Sequence, residues 1–287
     1  MVELNSPNLL LTGVPRGGTT LACQLLQQCS DTVALFEPID VASLPLDRAA
    51  AVLQVQRFFA ACREQLLDDG SAPSKQVGGV VPDNLFADSV GRDGQRRQIA
   101  SSGRIRIDPP PIPGFTLVIK HNAAFTALLP ELSAQLPTVA IVRHPLSVLA
   151  SWNSVELPVR AGRIPAGERL DPELAAQLDH ELDRIARQLL VLEWFFSRFD
   201  RWLPTANVLR YEDMITSQGE QLRALAGVQG GAVTALTDRN ANRLYPRTLI
   251  PQLAAALTQR PGSWQRWYPL ETVAPLAHRM LATREGT

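Results

Sequence analysis

The stretch LLLTGVPRGGTTLACQLL, residues 9–26, joins an apolar run to a helix-like apolar repeat through a glycine-rich turn. Residues 9–12 predict a buried strand, and residues 19–29 predict a helix that begins directly after the turn. The turn contains Gly13, Gly17 and Gly18. Because the first N–H groups of a helix have no partner within it, this strand–turn–helix unit predicts an anion-binding site.

The spacing within the turn is close to the phosphate-binding pattern G-x-x-x-x-G-K-[ST]. Gly13 and Gly18 have the required separation, and Thr20 supplies the hydroxyl, but Thr19 occupies the lysine position. That lysine normally reaches the β- and γ-phosphates, so its absence argues against ordinary ATP or GTP hydrolysis. Arg16 supplies a positive charge to the turn instead.

Short apolar runs alternate with helical patterns along the chain, which predicts an α/β fold with a central parallel sheet flanked by helices. The predicted strands are Leu9–Thr12, Val33–Phe36, Phe115–Ile119, Thr138–Val142 and Asn207–Arg210. Helices are predicted after them at 19–29, 47–67, 122–135, 146–155 and 216–226. The longest helix is predicted from about Pro172 to Phe199, with Asp171 as its N-cap. Its apolar stripe predicts a core-facing side and comprises Leu178, Leu182, Ile185, Leu189, Leu192 and Phe196.

The composition is that of a globular protein, because 45% of the 287 residues are hydrophobic and 20% are charged. We therefore expect a single domain over residues 1–287. Irregular regions at about 68–114 and 158–171 are expected to be lids or binding loops, or, for the first region, a disordered insertion. Lys plus Arg and Asp plus Glu each number 28, so no overall basic field favours nucleic acid as a partner.

The cysteines and the N-terminal residues bear on location. Cys23, Cys29 and Cys62 are an odd number for a disulfide framework, which favours reduced thiols and a cytoplasmic protein. The apolar run at residues 9–11 is too short for a signal peptide or a membrane span, so neither is expected. The histidines and cysteines show no metal-ligand spacing, so no metal is expected.

A second polar constellation lies in IVRHPLSVLASWNS, residues 141–154. A predicted strand ends at Arg143, Pro145 opens a helix, and Ser151 lies eight residues after the arginine, about two helical turns along. An arginine at a strand end and a serine on the next helix could together bind a second phosphate, with the planar guanidinium giving bidentate contact.

Together the two motifs resemble those of PAPS-dependent sulfotransferases, which use 3′-phosphoadenosine 5′-phosphosulfate (PAPS) and have a P-loop-like three-layer fold. Their first loop reads P-[KR]-S-G-T-T, and their second motif is a strand-end arginine with a serine eight residues on. Pro15, Arg16, Gly18, Thr19 and Thr20 match the loop, Gly17 replaces its serine, and Arg143 and Ser151 match the second motif. The resemblance implies that Arg16 and the loop bind the 5′-phosphosulfate, and that Arg143 and Ser151 bind the 3′-phosphate.

Two further segments are similar to parts of this family. LRYEDM, residues 209–214, resembles a strand-end Y-E-D segment whose tyrosine lies near the nucleotide, which makes Tyr211 a cofactor-binding candidate. RPGSWQRWYP, residues 260–269, resembles a C-terminal glycine-tryptophan segment that covers the cofactor, without the longer R-K-G-x-x-G arrangement. Arg260, Gly262 and Trp264 could contribute there, although core packing is the alternative for the tryptophan.

The resemblance implies transfer of a sulfuryl group from PAPS to a hydroxyl of a small molecule, lipid or sugar, with release of PAP. Arg16 and Lys120 are catalytic candidates, and two residues compete as the general base. His121 follows a strand and Lys120 in LVIKHNAAF, although the family usually has K-x-H, and histidine has a suitable pKa. Glu37, in VALFEPID, lies in a run that resembles the [FY]-E-P segment of carbohydrate sulfotransferases.

Two other functions remain open from the sequence. One is a P-loop nucleotide kinase or phosphotransferase, which would need a cation on the phosphates and a carboxylate for Mg²⁺. The other is a noncatalytic nucleotide-binding module that keeps the fold as a scaffold. The sequence does not indicate the acceptor or the oligomeric state.

Overall fold

Strands and helices alternate along much of the chain in the computed structural model, which describes residues 7–91, 95–231 and 235–282. The strands are Asn8–Gly13 (β1), Thr32–Phe36 (β2), Ser71–Gln76 (β3), Phe86–Val90 (β4), Arg96–Gln98 (β5), Ser101–Arg106 (β6), Thr116–Lys120 (β7), Thr138–Val142 (β8) and Val208–Arg210 (β9). The helices are Thr19–Gln27 (α1), Arg48–Asp69 (α2), Ala123–Ala127 (α3), Leu129–Ser133 (α4), Pro145–Trp152 (α5), Pro165–Leu170 (α6), Pro172–His180 (α7), Arg184–Trp202 (α8), Tyr211–Thr216 (α9), Glu220–Ala226 (α10), Ile250–Gln259 (α11) and Val273–Ala282 (α12).

Five parallel strands form the central sheet, in the order β2–β7–β1–β8–β9. These are the five strands that the sequence predicts, so the predicted α/β class with a helix-flanked parallel sheet is confirmed. In β1, Leu9 lies opposite Val118 of β7 and Leu11 lies opposite Val139 of β8. Strands β2, β7 and β8 are buried along their whole length, as expected for a parallel sheet covered on both faces.

The chain leaves two adjacent strands of this sheet in opposite directions. Helix α1 carries it from β1 toward the β2 edge of the sheet, whereas α5 to α8 carry it from β8 toward the β9 edge. Loops that diverge from neighbouring parallel strands leave a crevice at the carboxyl ends of those strands, where α/β proteins commonly bind ligands. The glycine-rich turn and Arg143 follow β1 and β8, so the topology places both at this crevice.

Two glycines make the turn after β1 possible. Gly13 has φ +150°, and a Cβ there would lie 2.2 Å from the backbone oxygen of Ile141 in β8. Gly18, the N-cap of α1, has φ +97°, and its Cβ would lie 2.7 Å from Cδ2 of Tyr211. Other residues would be strained at such angles, so the close approach of β1, β8 and α9 depends on these two positions.

The single long helix predicted from Pro172 to Phe199 is wrong, because α7 and α8 are separate helices with residues 181–183 between them. The Asp183 carboxylate accepts a hydrogen bond from Ala186 N and begins α8, just as Asp171 caps α7. Leu182, a predicted stripe residue, is 88% exposed, whereas the other five residues of the stripe are buried. The apolar repeat therefore continues across the break between α7 and α8, which lies where Asp183 caps the second helix.

The region at about 68–114 is structured over much of its described length, so the alternative of a disordered insertion is wrong there. Helix α2 extends to Asp69, β3 pairs with β6, and β4 pairs with β5, both antiparallel. The Ser74 hydroxyl accepts from Phe36 N at 3.0 Å, which attaches β3 to the end of β2. Residues 158–171 likewise contain a 3₁₀ turn at Pro158–Ala161 and helix α6.

The helix predicted at 122–135 is divided into α3 and α4 at Leu128, and the one at 216–226 is preceded by α9.

The three cysteines are buried and carry free thiols. Within the described residues, the apolar stretches of the helices fall short of what a bilayer crossing requires.

Candidate functional site

A cavity of about 940 Å³ lies at the carboxyl ends of β1, β2, β7 and β8. Many of the candidates from the sequence line it, namely Pro15, Arg16, Gly18, Thr19, Thr20, Glu37, Lys120, His121, Arg143 and Tyr211. Residues of the predicted irregular regions, among them Asn84 and Arg163, form part of its wall. The fold therefore brings together residues from both motifs and both base candidates.

The lining of this cavity is strongly positive. Seven basic residues contribute to it, namely Arg16, Lys75, Arg96, Lys120, Arg143, Arg163 and Arg239, against the three carboxylates Glu37, Asp40 and Asp83. The chain as a whole has a formal net charge of zero. Because the excess of four cations is concentrated in one concave site, the cavity is suited to a ligand with several negative charges.

The first anion-binding position is the start of α1. Gly18 is the N-cap, and the first turn, Thr19–Ala22, contains no acidic residue that would occupy the free N–H groups. Two hydrogen bonds hold the turn in place: Trp152 Nε1 donates to Pro15 O at 2.8 Å, and Gly17 N donates to Val14 O at 2.8 Å. Backbone N–H groups and the helix dipole together favour an anion at this end of the cavity.

Arg16 lies at the edge of the same turn with φ +67°. Its Nε donates to Ser151 Oγ at 3.1 Å and its Nη1 donates to Asn84 Oδ1 at 3.3 Å. Its guanidinium carbon lies 4.8 Å from the centre of the Phe86 ring. Ser151 therefore contacts the arginine of the first motif, and it connects the two motifs that the sequence identified.

Arg143 is the second cationic position, and it is 6% exposed. Its Nε donates to Asn240 Oδ1 at 2.7 Å, and its Nη1 donates to Arg16 O at 3.3 Å. The guanidinium carbon lies 4.3 Å from the centre of the Tyr211 ring. Its Nη2 is enclosed and has no hydrogen-bond partner among the described residues. An unpaired buried donor costs about 1–3 kcal/mol, and Arg143 itself lines the cavity, where its positive charge favours an anion.

Residues 235–245 form a cavity wall that the sequence reasoning missed. Leu236, Thr237 and Tyr245 line the cavity, and Tyr211 holds the segment because its hydroxyl accepts from Arg239 N at 3.1 Å. The segment has no apolar period, so its place depends on such side-chain contacts. The feature of the sequence that could have indicated a functional segment is its content of arginine and asparagine, in TDRNANR at residues 237–243.

The C-terminal segment 260–269, which resembles a cofactor cover, does not contribute to the cavity lining within the described residues. Trp264 is 2% exposed and belongs to the hydrophobic core, which is the packing alternative. The amide and hydroxyl of Ser263 both bond to the Glu193 carboxylate on α8. Arg260 is exposed and lies 3.9 Å from Glu181.

Glu37 lies between two lysines. Lys120 Nζ is 2.6 Å from Glu37 Oε1, and Lys75 Nζ is 2.5 Å from Glu37 Oε2. Burial by itself raises the pKa of Glu37, but the two ammonium groups outweigh it and hold that pKa well below its usual range. The residue also has φ +44°, a rare backbone conformation for a glutamate that is typical of functional sites.

Lys75 is a functional candidate that sequence reasoning missed, because its segment, SAPSKQ, shows no apolar alternation. Strand β3 brings it to Glu37 through the contact between Ser74 and Phe36 N. Lys120 is almost fully enclosed, and its ammonium lies 4.5 Å from the centre of the Phe36 ring. Glu37 is therefore an ionised carboxylate with a cation on each oxygen.

His121 is 5% exposed, and its Nε2 accepts a hydrogen bond from Ile39 N at 3.0 Å. Burial lowers the pKa of His121 to about 3, although the nearby Glu37 carboxylate acts in the opposite direction. The ring is therefore neutral at physiological pH and carries its proton on Nδ1. Because a neutral imidazole has one acceptor nitrogen, the backbone already occupies the lone pair that a base would use.

Among residues 7–91, 95–231 and 235–282, no group of three or more His, Cys, Asp or Glu side chains is arranged to hold a metal ion. In comparisons with known proteins, no family model and no curated protein matched the chain.

Proposed function

We propose that the protein is a cytoplasmic PAPS-dependent sulfotransferase that transfers a sulfuryl group to a hydroxyl acceptor and releases PAP. The observation that carries the proposal is the presence of two cationic positions in one cavity, at the start of α1 and at Arg143. A nucleotide with anionic groups at both its 5′ and 3′ positions requires two such positions. In this proposal the fold is the P-loop-like three-layer fold of the sulfotransferase family.

The charge of the cavity supports this donor. A phosphate carries about −1.5 to −2 at neutral pH, so a 3′-phosphate and a 5′-phosphosulfate together carry about four negative charges. The lining has four more basic residues than carboxylates, and one of the basic residues, Arg163, is also paired with Glu168 and Asp179. We assign the 5′ group to Arg16, the N–H groups of the turn and the hydroxyls of Thr19 and Thr20, and the 3′-phosphate to Arg143.

The proposed reaction forms a bond between the acceptor oxygen and sulfur and breaks the bond from sulfur to the bridging phosphate oxygen. The electron pair of the broken bond stays on the phosphate, where Arg16 and the start of α1 stabilise the developing charge. Bond formation to sulfur makes the acceptor hydroxyl strongly acidic, so Glu37 can take its proton although the two lysines lower the pKa of this carboxylate. The Glu37 oxygens each retain a second lone pair beside the lysine contact. Lys120 and Lys75 orient this carboxylate.

We assign His121 a structural role and Glu37 the role of base, because the accepting nitrogen of His121 is bonded to Ile39 N. The Glu37→Gln variant keeps the size of the side chain but cannot take the proton. We expect it to lose turnover of labelled PAPS with an acceptor panel while it retains its affinity for PAP. Equal turnover of this variant and the wild type would contradict the assignment.

Binding of the donor is tested by calorimetry with PAP, 5′-AMP, ATP and ADP in the presence of EDTA. We expect PAP to bind more tightly than the other three without metal. Arg143→Ala should weaken PAP about 10- to 100-fold, the equivalent of losing a charged hydrogen bond, and leave 5′-AMP nearly unchanged. Tighter binding of ATP with Mg²⁺ would favour the kinase alternative, and PAP binding without turnover would favour the noncatalytic module.

A further inference from the structure

Asn240 lies behind the cavity wall and connects a cation to a carboxylate. It is 3% exposed. Its Oδ1 accepts from Arg143 Nε at 2.7 Å, and its Nδ2 donates to Glu212 Oε1 at 2.7 Å. Because the oxygen faces a donor and the nitrogen faces an acceptor, the orientation of the amide is fixed by its two partners.

Glu212 is itself held by two other elements. Its Oε1 accepts from His144 N at 3.2 Å, and its Oε2 accepts from the Tyr268 hydroxyl at 2.7 Å. Tyr268 is 2% exposed and belongs to the C-terminal segment 260–269, which does not line the cavity. This segment therefore reaches the cavity indirectly, through Glu212 and Asn240.

The backbone of Asn240 is also anchored. Its N–H donates to the Asp238 carboxylate at 2.8 Å, and its carbonyl accepts from Ser147 Oγ on α5 at 3.1 Å. Loss of the Asn240 side chain would leave these backbone contacts in place. Its effect on Arg143 can therefore be separated from its effect on the path of the loop.

Arg143 is held by two hydrogen bonds, from Nε to Asn240 and from Nη1 to the Arg16 carbonyl, and its guanidinium lies over the Tyr211 ring. The neutral amide separates the guanidinium from the Glu212 carboxylate. A carboxylate in direct contact would neutralise the arginine, whereas the amide orients it and leaves its charge for a ligand. Nη2 is the group left without a partner among the described residues.

We propose that Asn240 is a positioning residue for Arg143, and that the Glu212–Asn240 pair sets the preference for a nucleotide with a 3′-phosphate. This inference rests on the proposed function, because it assigns the 3′-phosphate to Arg143. Asn240 acts through the arginine, since it is not part of the described cavity lining.

The test measures the ratio of the affinities for PAP and for 5′-AMP by calorimetry. Asn240→Ala should reduce this ratio about tenfold or more, as expected for the loss of a charged hydrogen bond. Glu212→Gln, which keeps the shape of the network, should reduce it less. Asn207→Ala is the matched control, because its amide donates to Thr138 O at the amino ends of β8 and β9, the other end of these strands from the cavity. Melting temperatures show which variants are folded.

A double-mutant cycle separates positioning from a general structural effect. If Asn240 acts through Arg143, adding Asn240→Ala to Arg143→Ala should not lower the ratio further. The inference would be overturned if a folded Asn240→Ala or Glu212→Gln variant kept the wild-type ratio of PAP to 5′-AMP affinity. It would also be overturned if the losses from Asn240→Ala and Arg143→Ala were fully additive in the double variant. A wild-type protein with no preference for PAP would instead overturn the proposed function, so the two failures are distinguishable.

Discussion

We predict that His121 stays neutral far below pH 6 and that this makes the fold sensitive to acid. Its pKa is lowered to about 3 by burial, against an ordinary value of 6.5. Between these two values the unfolded chain binds a proton that the folded protein does not, so stability falls as the pH falls. The slope is about 1.4 kcal/mol per pH unit, which gives a loss of about 2 kcal/mol from pH 7 to pH 5.

His144 adds to the same slope, because burial lowers its pKa to about 4. The perturbation is His121→Gln, whose amide oxygen can accept from Ile39 N in place of Nε2. In urea unfolding at pH 7, 6 and 5, the variant should lose about 2 kcal/mol less than the wild type between pH 7 and pH 5. His278→Gln, at an exposed position of α12, is the matched control.

Nuclear magnetic resonance of the ring nitrogens gives an independent measurement. We expect His121 to be the Nδ1–H tautomer and to show no titration between pH 8 and pH 5. A titration midpoint near 6.5, or an Nε2–H tautomer, would refute the reasoning and restore His121 as a candidate base. An unchanged slope in the variant would refute the linkage argument on its own.

Lys75→Met should raise the pKa of Glu37 and reduce stability at pH 7 by about 1–3 kcal/mol, because it removes one charged hydrogen bond. Since the lowered pKa of Glu37 stabilises the fold above its ordinary pKa of 4.5 and this contribution is lost on acidification, the difference from wild type in urea unfolding should shrink below that pH. Lys75→Arg, which keeps the charge, is the control. Gly18→Ala should destabilise the fold more than Gly114→Ala, by about 1–3 kcal/mol, because both have φ near +95° but only the first would place a Cβ 2.7 Å from the Tyr211 ring. Equal losses from the two glycine variants in urea unfolding would contradict the steric argument.

The parallel sheet was predictable because its signals are local. Each strand is an apolar run bounded by turn residues, and the turn at Gly13–Gly18 indicates that a helix begins within a few positions. Local patterns also located Arg143 and Glu37 at strand ends, which parallel strands bring to the same edge of a sheet. The error at Leu182 has the same origin, because an apolar period does not record a break between two helices.

The sequence by itself therefore determined the strands, the anion-binding turn and the strand-end residues that line the cavity. Only the tertiary structure decided which side chains meet there. Lys75 reaches Glu37 across 38 positions, and Asn240 reaches Arg143 across 97. Such contacts depend on the path of the whole chain rather than on residue spacing. The physical reason is that backbone periodicity is set within a few residues, whereas the burial and pairing of polar groups are set by packing between distant elements.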